Sequence, residues 1–176
     1  GLDAAWAADH PDAKPLVSFS VDDDAMLWWL SDRSSAAFTF AKQYLLTHSA
    51  AANTIADPKG VYSTSVAASG LTAVYTGAAA DAVFGARAGD SHAPDLFGIA
   101  QHGVVYTGGV KKIAEHGGAA PDDRDVALVV SGAGARHEIE SSPVQTTQIA
   151  PTILRLLGLN PNALQAVRAE HTRVLP

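Results

Sequence analysis

No cysteine occurs among the 176 residues, which excludes disulfides, thiolate metal sites and a cysteine nucleophile. The same absence leaves the redox compartment open, because cysteine-free chains occur on both sides of a membrane. Long apolar runs are missing too. The longest, such as 25–30 and 126–130, fall far short of the roughly 20 residues that a membrane-crossing helix needs. Positive charge is scarce: 12 lysines and arginines stand against 18 acidic residues, for a net charge of -6 with neutral histidines. With no basic run anywhere, a nucleic-acid duplex or an anionic membrane is not the expected partner. The first residues, Gly1-Leu2-Asp3-Ala4-Ala5-Trp6, contain no initiator methionine, charged leader or continuous apolar stretch of a signal peptide. A processed or cleaved N-terminus is the expectation. There is no Gly-x-Ser-x-Gly elbow, no Walker-type lysine loop and no internal repeat.

What is present suffices for one sizeable core, since 47% of the residues are apolar. Residues 1–15 are polar and alanine-rich. The chain enters its core at Leu16-Val17-Ser18-Phe19, a short apolar stretch read as a strand. Ala25–Leu30 reads as a second strand, although an aspartate-capped helix has the same periodicity. Ser34 or Ser35 is placed to cap a helix reaching about Thr47, because Ala37, Phe38, Ala41, Tyr44 and Leu45 recur at helical spacing. Residues 49–70 are expected to form a loop, followed by a short helix over about 78–84 that ends at Gly85. Pro94–Ala100 and Val104–Thr107 are expected to pair as a hairpin around Gln101-His102-Gly103. The β-branched run Val126–Val130 lacks polar alternation and has the pattern of a central strand buried on both faces. Thr146–Leu157 reads as a helix ended by Gly158, with Pro151 in its first turn, and Asn160-Pro161 begins another helix toward Val167.

Several polar clusters invite chemistry and are explained more simply. Asp22-Asp23-Asp24 lack the glycine and glutamate of a calcium-binding EF-hand and read as a solvated turn or cap. Asp90 and His92 make a pair without further donors nearby, and His102 reads as a surface turn residue. Ser131-Gly132-Ala133-Gly134 follows an apolar run as a dinucleotide-binding loop does. The third glycine position is instead His137, and Glu138-Ile139-Glu140 alternate like a strand, so no such cofactor is expected.

Five stretches taken together carry more information: Pro94-Asp95-Leu96; Gly103–Thr107; Lys112-Ile113-Ala114-Glu115-His116-Gly117-Gly118; Asp122–Ser131; and Thr146–Leu154. In this order and spacing they resemble the C-terminal segment of the type I phosphodiesterase/nucleotide pyrophosphatase family, within the alkaline phosphatase superfamily. The ending, Ala166-Val167-Arg168 and Thr172–Pro176, is similar to that family's last residues, and Ser31-Asp32-Arg33-Ser34 resembles its inserted segment.

The resemblance implies an α/β fold: the C-terminal part of a three-layer core with a mostly parallel central sheet over 94–176, plus an inserted, lid-like α+β lobe over 1–93. It implies a secreted or periplasmic metal-dependent hydrolase of phosphodiesters or nucleotides, with two zinc ions in the complete enzyme. His116 falls on the family's last metal-ligand histidine, with Glu115 as an outer partner of the imidazole and Gly117 and Gly118 letting the backbone approach metal or phosphate. The nucleophile and remaining ligands lie upstream in that family, so no catalytic residue is assigned here. The partner implied is the N-terminal part of the same enzyme, and this chain alone is expected to be inactive. A sulfatase or phosphomutase of the same superfamily, or a non-catalytic binding or structural module, are the alternatives.

Overall fold

A computed structural model describes residues 1–22, 24–48, 55–57, 60–62, 69–106, 115–132, 135 and 137–176. The chain divides into two compact units, 1–127 and 128–176.

The first unit is built on a four-stranded sheet. Its strands are β1 (Val17–Asp22), β2 (Ala25–Leu30), β5 (Leu71–Thr76) and β6 (Leu96–Ala100). Their spatial order is β1-β2-β6-β5, and every pairing is antiparallel. The fold is therefore mixed α/β, and the mostly parallel sheet is not seen among the described residues. β6, which the sequence places in the core segment, pairs on both sides with strands of the segment expected to form a lobe. Two further short strands, β3 (Ile55–Asp57) and β4 (Gly60–Tyr62), form their own antiparallel pair within the stretch expected to be loop.

The sheet's first face is closed by helices. In α2 (Ser35–Thr47), Ala37, Ala41 and Leu45 repeat every fourth residue and are buried together. Ser34 begins this helix as expected: its Oγ accepts the Ala37 N–H at 3.1 Å, satisfying a donor that the first turn leaves without a partner. Met26 and Leu30 of β2, Leu71 and Val74 of β5, and Leu96 of β6 meet this helix in one core. The alanines of α2 add little side-chain volume to this core, whose larger residues include Met26, Leu30, Leu71 and Leu96 of the strands.

Leu2 and Trp6 join the same core from α1 (Leu2–Asp9), where no element was expected. Their spacing of four places both on one helical face. Asp3 ties this helix to the sheet by accepting the Val17 N–H at 2.9 Å, and Trp6 stacks on His10 with ring centres 3.7 Å apart.

Tyr106 packs at the edge of this core and donates its hydroxyl to the Ser69 carbonyl at 2.7 Å. Burial pushes its phenol up to about 12 from an ordinary 10.0, and the negative charge of Asp22 adds to the rise. A raised phenol value means that folding prefers the neutral form. Its contribution to stability is complete below pH 10.0 and is lost as pH rises through about 12. An ultraviolet phenolate titration should show one tyrosine ionising late, and Tyr106→Phe should remove that step alone.

Two expected strands are corrected. Val104–Tyr106 adopts no strand; Val104 instead closes a turn by donating its N–H to the Gln101 carbonyl at 2.9 Å. Thr107 lies outside the described residues. Val126–Val130 is not a central strand: none of it pairs, and Val126, Leu128, Val129 and Val130 are 64%, 42%, 85% and 57% exposed. A strand apolar on both faces needs a hydrogen-bonded neighbour on each side and cover above and below. No described strand lies beside this run to supply them.

The second unit begins with irregular backbone. Glu138-Ile139-Glu140, expected to alternate as a strand, is not one, and Ile139 is almost fully exposed. Residues 146–148 form a single 3₁₀ turn that leads into α5 (Ile149–Leu156), where Pro151 sits in the first turn, as its missing N–H requires. Gly158, with φ of +72°, follows this helix as expected. Ile153, Leu156 and Leu157 are at least half exposed. α6 (Gln165–Glu170) follows a 3₁₀ turn capped by Asn160, and the chain returns to α5 through Leu175 N–H donating to Thr152 Oγ1 at 2.8 Å.

Candidate functional site

Helix α3 (Ala78–Val83) and the short helix α4 (Pro121–Arg124) complete the first unit. α4 follows the loop that carries His116. Pro121 starts this helix because its fixed φ suits a first helical position and no N–H is needed there. Asp123, on the first turn, reaches back to accept the Ala120 N–H at 3.1 Å. Its carboxylate thereby lies against Gly118. A β-carbon at Gly118 would meet the Asp123 carboxylate, the movable end of an exposed side chain, so a larger residue here would push that carboxylate aside. Gly117 takes φ of +101°, a left-handed conformation that side chains disfavour, with open space around it. The two glycines thus have separate duties, one steric and one conformational.

The His116 imidazole is 98% exposed, while the Glu115 side chain is 12% exposed. Glu115 Oε1 accepts the His116 backbone N–H at 3.1 Å and lies 3.6 Å from the ring's Nε2. The carboxylate therefore holds the backbone that presents the ring. Oε1 serves that backbone bond, so His116 Nε2 is what this pair offers a cation, and one donor is fewer than the three or four of a stable zinc site. Among the described residues, no group of three or more metal-binding side chains is assembled.

His102 and His92 have local partners. His102 lies in the exposed turn after β6, and its Nδ1 is 2.7 Å from Asp122 Oδ2. His92 Nδ1 is 2.9 Å from Asp90 Oδ1, and the His92 backbone N–H bonds the same oxygen. These two bonds, the backbone one first, hold the Asp90 carboxyl below its ordinary value. In the aspartate-rich turn, Asp22 accepts the Trp28 indole N–H at 2.7 Å, whereas Asp24 is buried rather than solvated; Asp23 lies outside the described residues. Ala133 and Gly134 of the glycine-containing stretch also lie outside them, as do residues 107–114, the approach to the His116 loop.

One polar pair joins two segments singled out in the sequence, but their pairing was not foreseen. Asp95 is 2% exposed, and its Oδ1 accepts Arg33 Nε at 2.6 Å while Oδ2 accepts the Leu30 N–H at 2.8 Å. An aspartate directly before an apolar strand was the available signal. Its partner, 62 residues earlier, is apparent only once β2 and β6 lie side by side. No family model matches this chain, and neither a curated protein nor a solved structure does.

Proposed function

We propose that this chain is the C-terminal portion of a metal-dependent hydrolase resembling the phosphodiesterases and nucleotide pyrophosphatases, and that His116 is its contribution to a two-metal site. The observation that carries this reading is the presentation of His116: an exposed imidazole beside a carboxylate, on a loop where Gly117 has open space around it. That exposure is shared with His92 and His102; what sets His116 apart is the Gly117-Gly118 pair that follows it and its match to the metal-ligand loop of the resembled family. Bound zinc would polarise the ester and stabilise charge on the departing oxygen. His116 would hold one ion through Nε2, and Glu115 would steady the loop behind it. The nucleophile and other ligands would come from the upstream part of the enzyme, whose core supplies the mostly parallel sheet of the three-layer fold.

The exposed run Val126–Val130 supports the same reading, because its composition calls for flanking strands. Co-expression of the upstream part with this chain should give a complex that binds two zinc ions and hydrolyses bis-(p-nitrophenyl) phosphate. The isolated chain should bind zinc weakly and hydrolyse nothing. Val129→Lys should leave the isolated chain folded, since Val129 is exposed there, and should prevent the complex from forming. Hydrolysis by the chain alone would refute the proposed division of the active site. A pair of polypeptides that never associates would refute the assignment to this enzyme class.

A further inference from the structure

In the first unit, a hollow of about 360 Å³ is lined by Arg33, Phe38, Gly77, Ala78, Asp81 and Gly89. None of these residues belongs to the His116 loop, so a ligand bound here is independent of the hydrolase reading. Asp81 is 3% exposed. Among the described residues, its carboxylate takes one hydrogen bond, from the Gly89 N–H to Oδ2 at 2.7 Å. Arg33 spends Nε on Asp95 and donates Nη1 to the Gly89 carbonyl at 3.4 Å. Arg33 and Asp81 thus grip opposite ends of one residue, Gly89, without forming an ion pair with each other.

Two polar side chains of the lining keep unused valences. Asp81 Oδ1 takes no hydrogen bond within the described residues and keeps some access to solvent, so a donor can reach it. The outer edge of the Arg33 guanidinium retains N–H donors, because Nη2 is not engaged among the described residues. Phe38 and Ala78 add apolar wall. Charge narrows the ligand further. Arg33, Asp95 and Asp81 sum to a single negative charge, so an anion alone is disfavoured, and a simple cation gains Asp81 but meets Arg33. A ligand carrying both charges one carbon apart satisfies both groups, just as the N–H and C=O of Gly89, flanking one carbon, already do.

We propose that this hollow binds a free α-amino acid, with its ammonium on Asp81 Oδ1, its carboxylate on the outer edge of Arg33 and its side chain against Phe38. The convergence of a few polar groups on an apolar-walled concavity is the usual form of a small-molecule site.

The test uses the full chain labelled with nitrogen-15 and titrated with L-alanine, with sodium acetate and methylammonium chloride as single-charge controls. Saturable amide shifts are expected at Gly77, Ala78, Asp81 and Gly89 with L-alanine, and not with either control at the same concentration. Asp81→Asn keeps an acceptor for the Gly89 N–H but removes the charge, and should weaken binding about tenfold. Ala78 is exposed, so Ala78→Leu should fold normally, occupy the hollow and abolish the shifts; it decides the matter even if Asp81→Asn fails to fold. The proposal is overturned if L-alanine gives no saturable shift, if either control matches it, or if Ala78→Leu binds as the unmodified chain does. In each of those cases Arg33 and Asp81 serve only to hold Gly89 in place.

Discussion

In the hydrolase proposed above, His116→Ala is expected to lower phosphodiester turnover at least about 100-fold, because even the outer partners of metal-binding histidines are worth 10–100-fold and the ligand itself more. Stability should barely change. The ring is 98% exposed, and exposed substitutions away from caps and strained backbone stay within about 0.5 kcal/mol. This separation of effects identifies a ligand: turnover and bound zinc fall together while the urea midpoint holds. His102→Ala serves as the contrast. It loses an exposed partnership with Asp122, a kind of pair worth little, and should leave turnover unchanged. Unaltered turnover and zinc content in His116→Ala would remove the main support for the metal-site reading.

Asp95→Ala is expected to have the largest effect on stability, about 2–3 kcal/mol. Breaking a fully buried ion pair costs about 3–5 kcal/mol, but Arg33 is 39% exposed, so water can partly rehydrate the guanidinium left behind. The Leu30 N–H is less fortunate, since it loses its acceptor inside the sheet. Asp95→Asn keeps an oxygen for that N–H and should cost less than Asp95→Ala. The comparison by urea denaturation separates the backbone bond from the ion pair. Equal losses in the two variants would show that the charge, rather than the hydrogen bond to β2, dominates. A small domain's whole stability is about 5–15 kcal/mol, so this one carboxylate decides a substantial share.

Local patterns were legible where one residue or one short period sufficed. Ser34 starts α2 because its hydroxyl reaches an N–H three residues on, a relation contained within four consecutive residues. The same holds for the glycine after α3, with φ of +62°, and for Asn160 before its short turn, whose side chain accepts the Asn162 N–H at 3.0 Å. β1, β2 and β6 were visible as apolar stretches. β5 was not, although Leu-Thr-Ala-Val-Tyr-Thr between Gly70 and Gly77 has strand composition. Its register shifts between Leu71 and Ala73, which interrupts the simple alternation.

The His116 loop shows the same division at the level of the site. Its composition, a histidine followed by two glycines, was readable, but the use of Gly118 to seat Asp123 depends on a helix turn that reaches back over the loop. Likewise, apolar composition predicts that Val126–Val130 can be a strand, yet a strand exists only when a neighbour supplies its hydrogen bonds. By itself, then, the sequence determined helix starts, helix stops and which stretches are apolar, because caps, left-handed glycines and side-chain periodicity act within a few residues. Only the tertiary structure decided that β6 lies between β2 and β5, that Arg33 meets Asp95, and that Arg33 and Asp81 converge on Gly89. Those relations join residues far apart in the chain, and their energies arise from burial and pairing that no local pattern contains.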